Sequence, residues 1–445
     1  MAEPGGPQEE DLTAAVTALS PVLEPQSVPE YLRAWLTRVR SGDAGVLPVV
    51  AALTVAAVIF QVVVPHGVYL NNRNLLGIFD QSTLFIILAI GEGFVLLLGE
   101  IDLSIGYIAA IGGITAGLLV QPQAPPSDSF HNWPWWGAII AAVLVCGLIG
   151  FANGFIVTRL RLSSLIVTLA TQIFWFGMMI VILGSAGGFG ISSGVTENVR
   201  GIYGIVYDYI DVGVAWVGLA VIVLLIGGSI WLRDAGRRRH HLVAPPVSLT
   251  VAKVVFIAVV GVIVVYICDL DRSVGVHSSP VVGVPWVMVL VLAVVAGSTL
   301  VLERTQFGRH VYAVGGNPEA ARRAGVGVTS VRTLCFAISG AISGLAGIVA
   351  VSYQGGNTTN FNGGQSVLYA VAAAVIGGTS LFGGRGRAIH GLLGGLTIGA
   401  IYNGLYSLSL PIQYQYIATG LVLLAAVTID ALARRNATSG SVGHP

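Results

Sequence analysis

Charge is what this chain has least of. Asp, Glu, Lys and Arg make up 10% of its 445 residues, against 55% hydrophobic residues. Soluble domains carry about 25% charged residues, so a soluble globular class is excluded and an integral membrane protein is expected. Lysine is almost missing. Of the 22 basic residues only Lys253 is not an arginine, and it stands between Ala252 and Val254. A Walker A loop needs a glycine-rich run ending in Lys-Ser/Thr. The chain has none, so ATP-driven work would require an ATPase on another polypeptide. Cysteine is equally sparse. Cys146, Cys268 and Cys335 lie in or at the ends of apolar runs and far apart, which argues against a disulfide framework and a metal site alike. The eight histidines are scattered, whereas a membrane enzyme would gather His, Asp or Glu at one depth. No catalytic residue, metal ligand or enzyme activity is therefore assigned. The net charge of +1 gives no reason to expect a nucleic-acid partner.

What is present is a series of apolar runs of spanning length, about 17–25 residues each. They fall at 46–64, 75–98, 104–120, 137–157, 164–183, 212–232, 250–268, 284–302, 331–351, 367–383, 388–409 and 413–432. The expected fold class is all-α: a polytopic membrane helical bundle of about 12 transmembrane helices with both termini cytoplasmic. The basic residues test this count. With the N-terminus inside, all but Arg73, Arg200 and Arg272 of the 22 fall on the inner side, as the positive-inside rule requires of short loops. Residues 1–28, rich in Pro, Glu and Gln, read as a disordered tail without a cleavable signal peptide. In 29–45, Tyr31, Leu32, Trp35, Leu36 and Val39 share a helical face that Arg33, Arg38 and Arg40 avoid, the pattern of an interfacial amphipathic helix on the lipid bilayer. The transmembrane domain is set at 46–435 and a C-terminal tail at 436–445.

One polar interruption carries its own helix signals: 303–328, ERTQFGRHVYAVGGNPEAARRAGVGV. Asn317 is a good N-cap, and Pro318 sits at the first helical position, where proline fits best. Glu319 in the first turn and Arg322 and Arg323 in the last complement the helix dipole. Gly325 supplies a left-handed stop. The expected helix has about seven residues, roughly 10 Å at the usual rise, too short and polar to span. Capping alone is compatible with an ordinary loop helix as well as with a rigid dock for a motor subunit.

Three separated segments now share a resemblance. FGRHVYAVGGNPEAARRAGV at 307–326, GEGFVLLLGEIDLSIG at 91–106 and AVIGGTSLFGGRGR at 374–387 resemble the permeases of sugar-type ABC transporters, the ribose/xylose group. The resemblance runs from about residue 46 to 432, and its xylose-type branch shares the extra stretch at 233–283. It implies that 303–328 is a cytoplasmic coupling loop, with Arg309, Gly316, Asn317, Pro318, Glu319, Ala320, Ala321 and Gly325 as coupling residues around an EAA-like motif. It implies a monosaccharide importer, for a pentose such as xylose, in the bacterial inner membrane. Cytoplasmic ABC ATPase subunits, an external sugar-binding protein and a second permease copy are the implied partners. The chain itself would hold no cofactor, ATP and Mg being used by the ATPase. The loops at 121–136, 184–211 and 353–364, glycine-rich or neutral and polar, would face the binding protein or serve as plain exposed connectors. The same architecture would suit a nucleoside or a branched-chain amino acid.

Polar groups inside spans are the pathway or gate candidates. Glu92 lies within an apolar helix, and ionisable groups at membrane depth are functional by default. It would line the pathway, pair with an arginine, or serve as the proton site of a secondary sugar carrier. Glu100 and Asp102 sit at the turn after that span. The turn reads either as a tight connection capped by Asp102 or Ser104, or as a break tolerated because it lines a cavity. Asn153, Thr171 and Gln172 would contact hydroxyl-rich solute or bridge helices, and Asn403 lies in a Tyr-Asn-Gly segment of unassigned role. Glycines at four-residue spacing, such as Gly340/Gly344 and Gly391/Gly395/Gly399, read as helix-packing positions.

Overall fold

A computed structural model describes residues 30, 33, 45–122, 132–184, 188–191, 196–240, 244–273, 280–411, 413–421, 424 and 428. The expected tails at 1–28 and 436–445 and nearly all of the amphipathic helix at 29–45 lie outside the described residues. Two compact units are distinguished: Met1–Asp43 with Trp216–Val264, and Ala44–Ala215 with Val265–Pro445.

Helices dominate, and most of them fall on the apolar runs. In order they are α1 (Leu47–Val63), α2 (Asn72–Leu96), α3 (Ile105–Val120), α4 (Trp135–Leu160), α5 (Ser164–Leu183), α6 (Glu197–Tyr207), α7 (Val212–Arg239), α8 (Val247–Asp269), α9 (Trp286–Arg304), α10 (Gln306–Gly316), α11 (Pro318–Arg323), α12 (Val328–Gln354), α13 (Gly363–Gly377) and α14 (Ala388–Ser407), with 413–421 also helical. Among the described residues, α2, α4, α5, α7, α8, α9, α12 and α14 are long and apolar enough to cross a membrane, and α1, α3 and α13 are shorter apolar helices. The outward faces of α4 and α5 expose Leu148, Phe155, Ile166, Phe174 and Val181, an apolar surface that lipid covers and water would not tolerate.

The larger unit is organised on α12, an unbroken helix of 27 residues that packs against α2, α3 and α4. Close approach there depends on missing side chains. A Cβ on Gly340 would strike the Cys146 carbonyl of α4, and one on Gly347 would strike the Ala109 carbonyl of α3. A second ladder joins α14 to α2. Gly391, Gly395 and Gly399 lie on Ile90, Ile86 and Ser82 in turn, so the two helices run antiparallel in a four-residue register. This is the packing role expected of small residues in membrane helices.

In the smaller unit α7 and α8 pair through Gly227 on Val254. Thr250 Oγ1 donates to Asp234 Oδ2 at 2.9 Å, and Arg238 donates to Thr250 Oγ1 and to the Pro245 carbonyl. The arginine cluster at 237–239 thus has a structural partner for Arg238.

Two local expectations change. The run at 184–211 is not all loop: Thr196 caps α6, accepting from Val199 N at 3.3 Å, and Val199, Ile202 and Val206 form its buried face. Its glycine content hid that spacing. Two-stranded antiparallel pairings flank it, β1 (Gly188–Gly190) with β4 (Gly356–Thr358), and β2 (Tyr209–Ile210) with β3 (Val284–Pro285). The apolar run at 367–383 is helical only to Gly377, because Gly378 turns the chain at φ 112°.

Candidate functional site

The stretch at 303–328 folds as two helices rather than one. Thr305 caps α10, its Oγ1 accepting from Gly308 N at 3.1 Å. Asn317 then closes α10 and caps α11, its Oδ1 accepting from Ala320 N at 2.9 Å. At the far end Gly325 adopts φ 83°. Gly325 N donates to the Arg322 carbonyl and Val326 N to the Ala321 carbonyl, both at 3.0 Å, the paired bonds of a Schellman stop. Ala321 is buried while Glu319, Arg322 and Arg323 are exposed, with Glu319 bridging the two arginines at 2.9 and 3.4 Å. Exposed pairs of this kind contribute little stability. Their place on the outer face of α11 leaves them open to a partner.

Beneath the two helices, Val311, Val314 and Ala321 pack on Phe94 and Leu97 of the α2 end and on Val331 and Cys335 of α12. The three sequence segments converge at this point. Gly315 lies so close to the Leu97 carbonyl that a Cβ would collide with it. That carbonyl also accepts from Gly384 N at 2.8 Å. Tyr312 Oη donates to the Gly386 carbonyl at 2.7 Å, and Arg387 meets Glu303 at 2.9 Å. Burial pushes the Tyr312 phenol above its ordinary value, and Glu303 adds to that. Beside α11 opens a cleft of about 1000 Å³ lined by Glu100, Arg161, Arg322 and Arg332. Within it Glu100 and Arg332 pair at 3.1 Å. Burial raises the Glu100 carboxyl, and Arg332 works in the opposite direction.

The turn at 99–104 is a buried polar knot. Gly99 turns at φ 75°. Glu92 Oε1 accepts from Asp102 N at 3.0 Å. Asp102 Oδ1 accepts from Ser104 N at 2.9 Å and from the Ser104 hydroxyl. Ser104 Oγ in turn accepts from Asn153 Nδ2 of α4 at 2.8 Å. All four residues are buried. Asp102 therefore closes an Asx turn on Ser104, and Ser104 makes no side-chain cap to α3. Glu92 holds a backbone N–H and not an arginine. Of the other pathway candidates, Thr171 Oγ1 bonds back to the Val167 carbonyl. Asn403 binds Gln81 at 3.2 Å and accepts from Asn74 at 3.0 Å. Gln172 lies beside Gly364. These groups do not meet at one place.

A second cavity does gather polar and aromatic groups, and sequence reasoning missed it. It measures about 350 Å³. Asp80, Gln81 and Phe85 of α2, Tyr353 of α12, Gln365 and Tyr369 of α13 and Tyr402 of α14 line it. Phe85, Tyr369 and Tyr402 pack edge to face, with centroids 5.1, 5.8 and 6.2 Å apart.

Apolar helices on glycine ladders, joined by capped amphipathic loop helices, make this a multi-pass membrane protein. The chain belongs to the family of branched-chain amino acid transport system permease components, whose family model matches residues 74–427. It is similar to the xylose transport system permease protein of Haemophilus influenzae, at 33% identity over 398 residues, 88% of this chain and 98% of the relative. It is also similar to the D-allose transport system permease protein of Escherichia coli, at 28% identity over 364 residues, 82% and 85% of the two chains. The ribose import permease protein of Haemophilus influenzae is 29% identical over 384 residues, 85% and 91% of the two. The chain is thus a ribose/xylose-type ABC transporter permease, most like the xylose permeases. No solved structure matches it.

Proposed function

We propose that this chain is the membrane-spanning subunit of an ATP-binding-cassette importer for a monosaccharide, a pentose such as xylose, in the bacterial inner membrane. The observation that carries the reading is the convergence of three distant segments at the Leu97 carbonyl, beneath an exposed, doubly capped helix pair. In this reading α10 and α11 are the coupling helices on the cytoplasmic side. The cytoplasmic ATPase subunits seat on Glu319 and its neighbours, and Arg309, Gly316, Asn317, Pro318, Ala320, Ala321 and Gly325 shape that seat. Residues 46–435 form the transmembrane domain, with twelve spans and both termini cytoplasmic. A second copy completes the pore, and an external binding protein delivers the sugar. ATP and Mg are spent by the ATPase, and the permease makes and breaks no covalent bond. Glu92, Asp102 and Asn153 fix the turn that carries Glu100 beside the docking cleft, instead of touching solute.

Sugar is favoured over a charged solute by the cavity lining, whose polar groups are amides, hydroxyls and one carboxylate. Arg272, a buried cation, spends its guanidinium on the Cys268 and Gly283 carbonyls. The test is co-purification from mild detergent with the native chain and with Glu319→Arg. An ATPase carrying a Walker A loop should accompany the native chain and be lost with the variant. Retention by the variant would remove α11 as the docking site.

A further inference from the structure

We infer that the cavity lined by Asp80, Gln81, Tyr353, Gln365, Tyr369 and Tyr402 is a sugar station, with Asp80 as the acceptor that reads a sugar hydroxyl. The inference rests on the importer reading above.

Four observations carry it. The first is size: about 350 Å³ is at the small end of ligand cavities, which run from about 300 to 1,000 Å³. A single pyranose suits such a volume, and an oligosaccharide does not. The second is chemistry. Phe85, Tyr369 and Tyr402 form one aromatic cluster. An aromatic face carries partial negative charge and suits the C–H face of a sugar ring. Around it stand acceptors and donors suited to the ring's hydroxyls.

The third observation separates occupied groups from free ones. Most cavity polar groups already have partners. Gln365 Nε2 donates to Tyr369 Oη at 2.5 Å. Gln365 Oε1 accepts from Asn362 Nδ2 at 3.3 Å. Gln81 holds Asn403 at 3.2 Å and is hydrogen-bonded to the Tyr353 hydroxyl. Among the described residues Asp80 Oδ1 differs from these: it is buried and has no hydrogen-bond partner. An unsatisfied buried carboxylate oxygen is costly, and a sugar O–H supplies the strong, short bond that such an acceptor makes.

The fourth is position. Asp80 lies on α2 and Leu97 caps its C-terminal end, so the two are roughly 25 Å apart at 1.5 Å per residue. The cavity therefore sits toward the opposite end of the bundle from the coupling helices, on the side where a binding protein releases solute.

The test uses the complete transporter in proteoliposomes, with radiolabelled D-xylose, D-ribose and D-allose. Asp80→Asn should raise the half-saturating concentration of the imported sugar at least tenfold and narrow its preference over a monodeoxy analogue. A site built to bond a hydroxyl discriminates strongly against its loss. Co-purification of the ATPase and an unchanged elution profile show that the variant is folded. A second readout does not need the motor. The native cysteines are all buried, so Gln365→Cys provides a single labelling site in the purified permease. The imported sugar should slow its reaction with a thiosulfonate reagent. If the native transporter imports none of the three sugars, the importer reading itself falls. If it imports one, while Asp80→Asn keeps the native half-saturation and sugar leaves Gln365→Cys labelling unchanged, the station is overturned and the importer reading stands.

Discussion

Glu100 and Arg332 meet at 3.1 Å across the cleft beside α11, tying the turn after α2 to the first turn of α12. Their side chains are 12% and 32% exposed, so the pair is neither a solvated surface bridge nor a fully buried one. Removing one partner of such a pair costs more than removing both, because the survivor is left as an uncompensated charge. Arg332→Met should destabilise the protein by about 2 kcal/mol, and Glu100→Gln added to it should recover most of the loss. A double-mutant cycle on thermal unfolding in detergent reads the coupling. Additive effects would refute it.

The same pair sets a pH dependence. Burial raises the Glu100 carboxyl, and Arg332 is the group that lowers it. A carboxylate raised in the folded state is more stable protonated, so its contribution is present below the unfolded value and is lost as pH climbs through the folded one. Without Arg332 the folded value rises further. The Arg332→Met defect should therefore shrink on acidification from pH 8 to 5, and Glu100→Gln should abolish that slope. Melting temperatures across this range provide the check.

Gly325 turns at φ 83°, a conformation that costs an ordinary residue about 1–2 kcal/mol. Gly325→Val should loosen the stop of α11 while leaving the protein in the membrane. Sugar uptake and stimulated ATP hydrolysis should both fall about tenfold, the factor that about 1.4 kcal/mol corresponds to. Membrane abundance measured beside uptake separates this outcome from misfolding.

The helix crossings make a sharper prediction. A Cβ at Gly340 or Gly347 meets a backbone carbonyl on a facing helix, whereas one at Gly177 of α5 meets nothing within 4 Å. Gly340→Val and Gly347→Val should strongly reduce membrane levels, and Gly177→Ala should match the native chain. Equal levels for all three would show that the crossings can spread without penalty.

Glu92 distinguishes an ATP-driven importer from a proton-driven carrier. Its Oε1 accepts from Asp102 N, a role that the amide oxygen introduced by Glu92→Gln also fills. Uptake should survive that change and resist a protonophore, whereas Glu92→Ala should lower stability by about 1–3 kcal/mol through the unpaired Asp102 N–H. Loss of uptake in a stable Glu92→Gln variant would favour the carrier.

The apolar runs were legible in the sequence because lipid imposes one requirement on every spanning residue. The caps at Asn317 and Gly325 were legible because each acts within four residues of itself. α10 and α6 were not. Their apolar positions are few, and their buried faces exist only because Phe94, Leu97 and Ser352 lie against them. The turn at 99–104 was placed correctly, but its bonding depended on Asn153, which no local pattern connects to Ser104. The aromatic cavity draws on four helices far apart in sequence, so it had no local signature. Asp80 alone carried a signal, an ionisable group within an apolar helix, the same one that drew attention to Glu92.

α12 runs from Val328, where the 303–328 stretch ends, past Tyr353 at the cavity to Gln354, 27 residues without a proline or a gap in its helix. At 1.5 Å per residue it spans roughly 40 Å. Glycines let it seat deeply against its neighbours, yet none of them interrupts its own hydrogen-bond ladder. In the proposed importer such a helix would serve as a pushrod, handing a displacement at the docking face to the cavity wall at its other end.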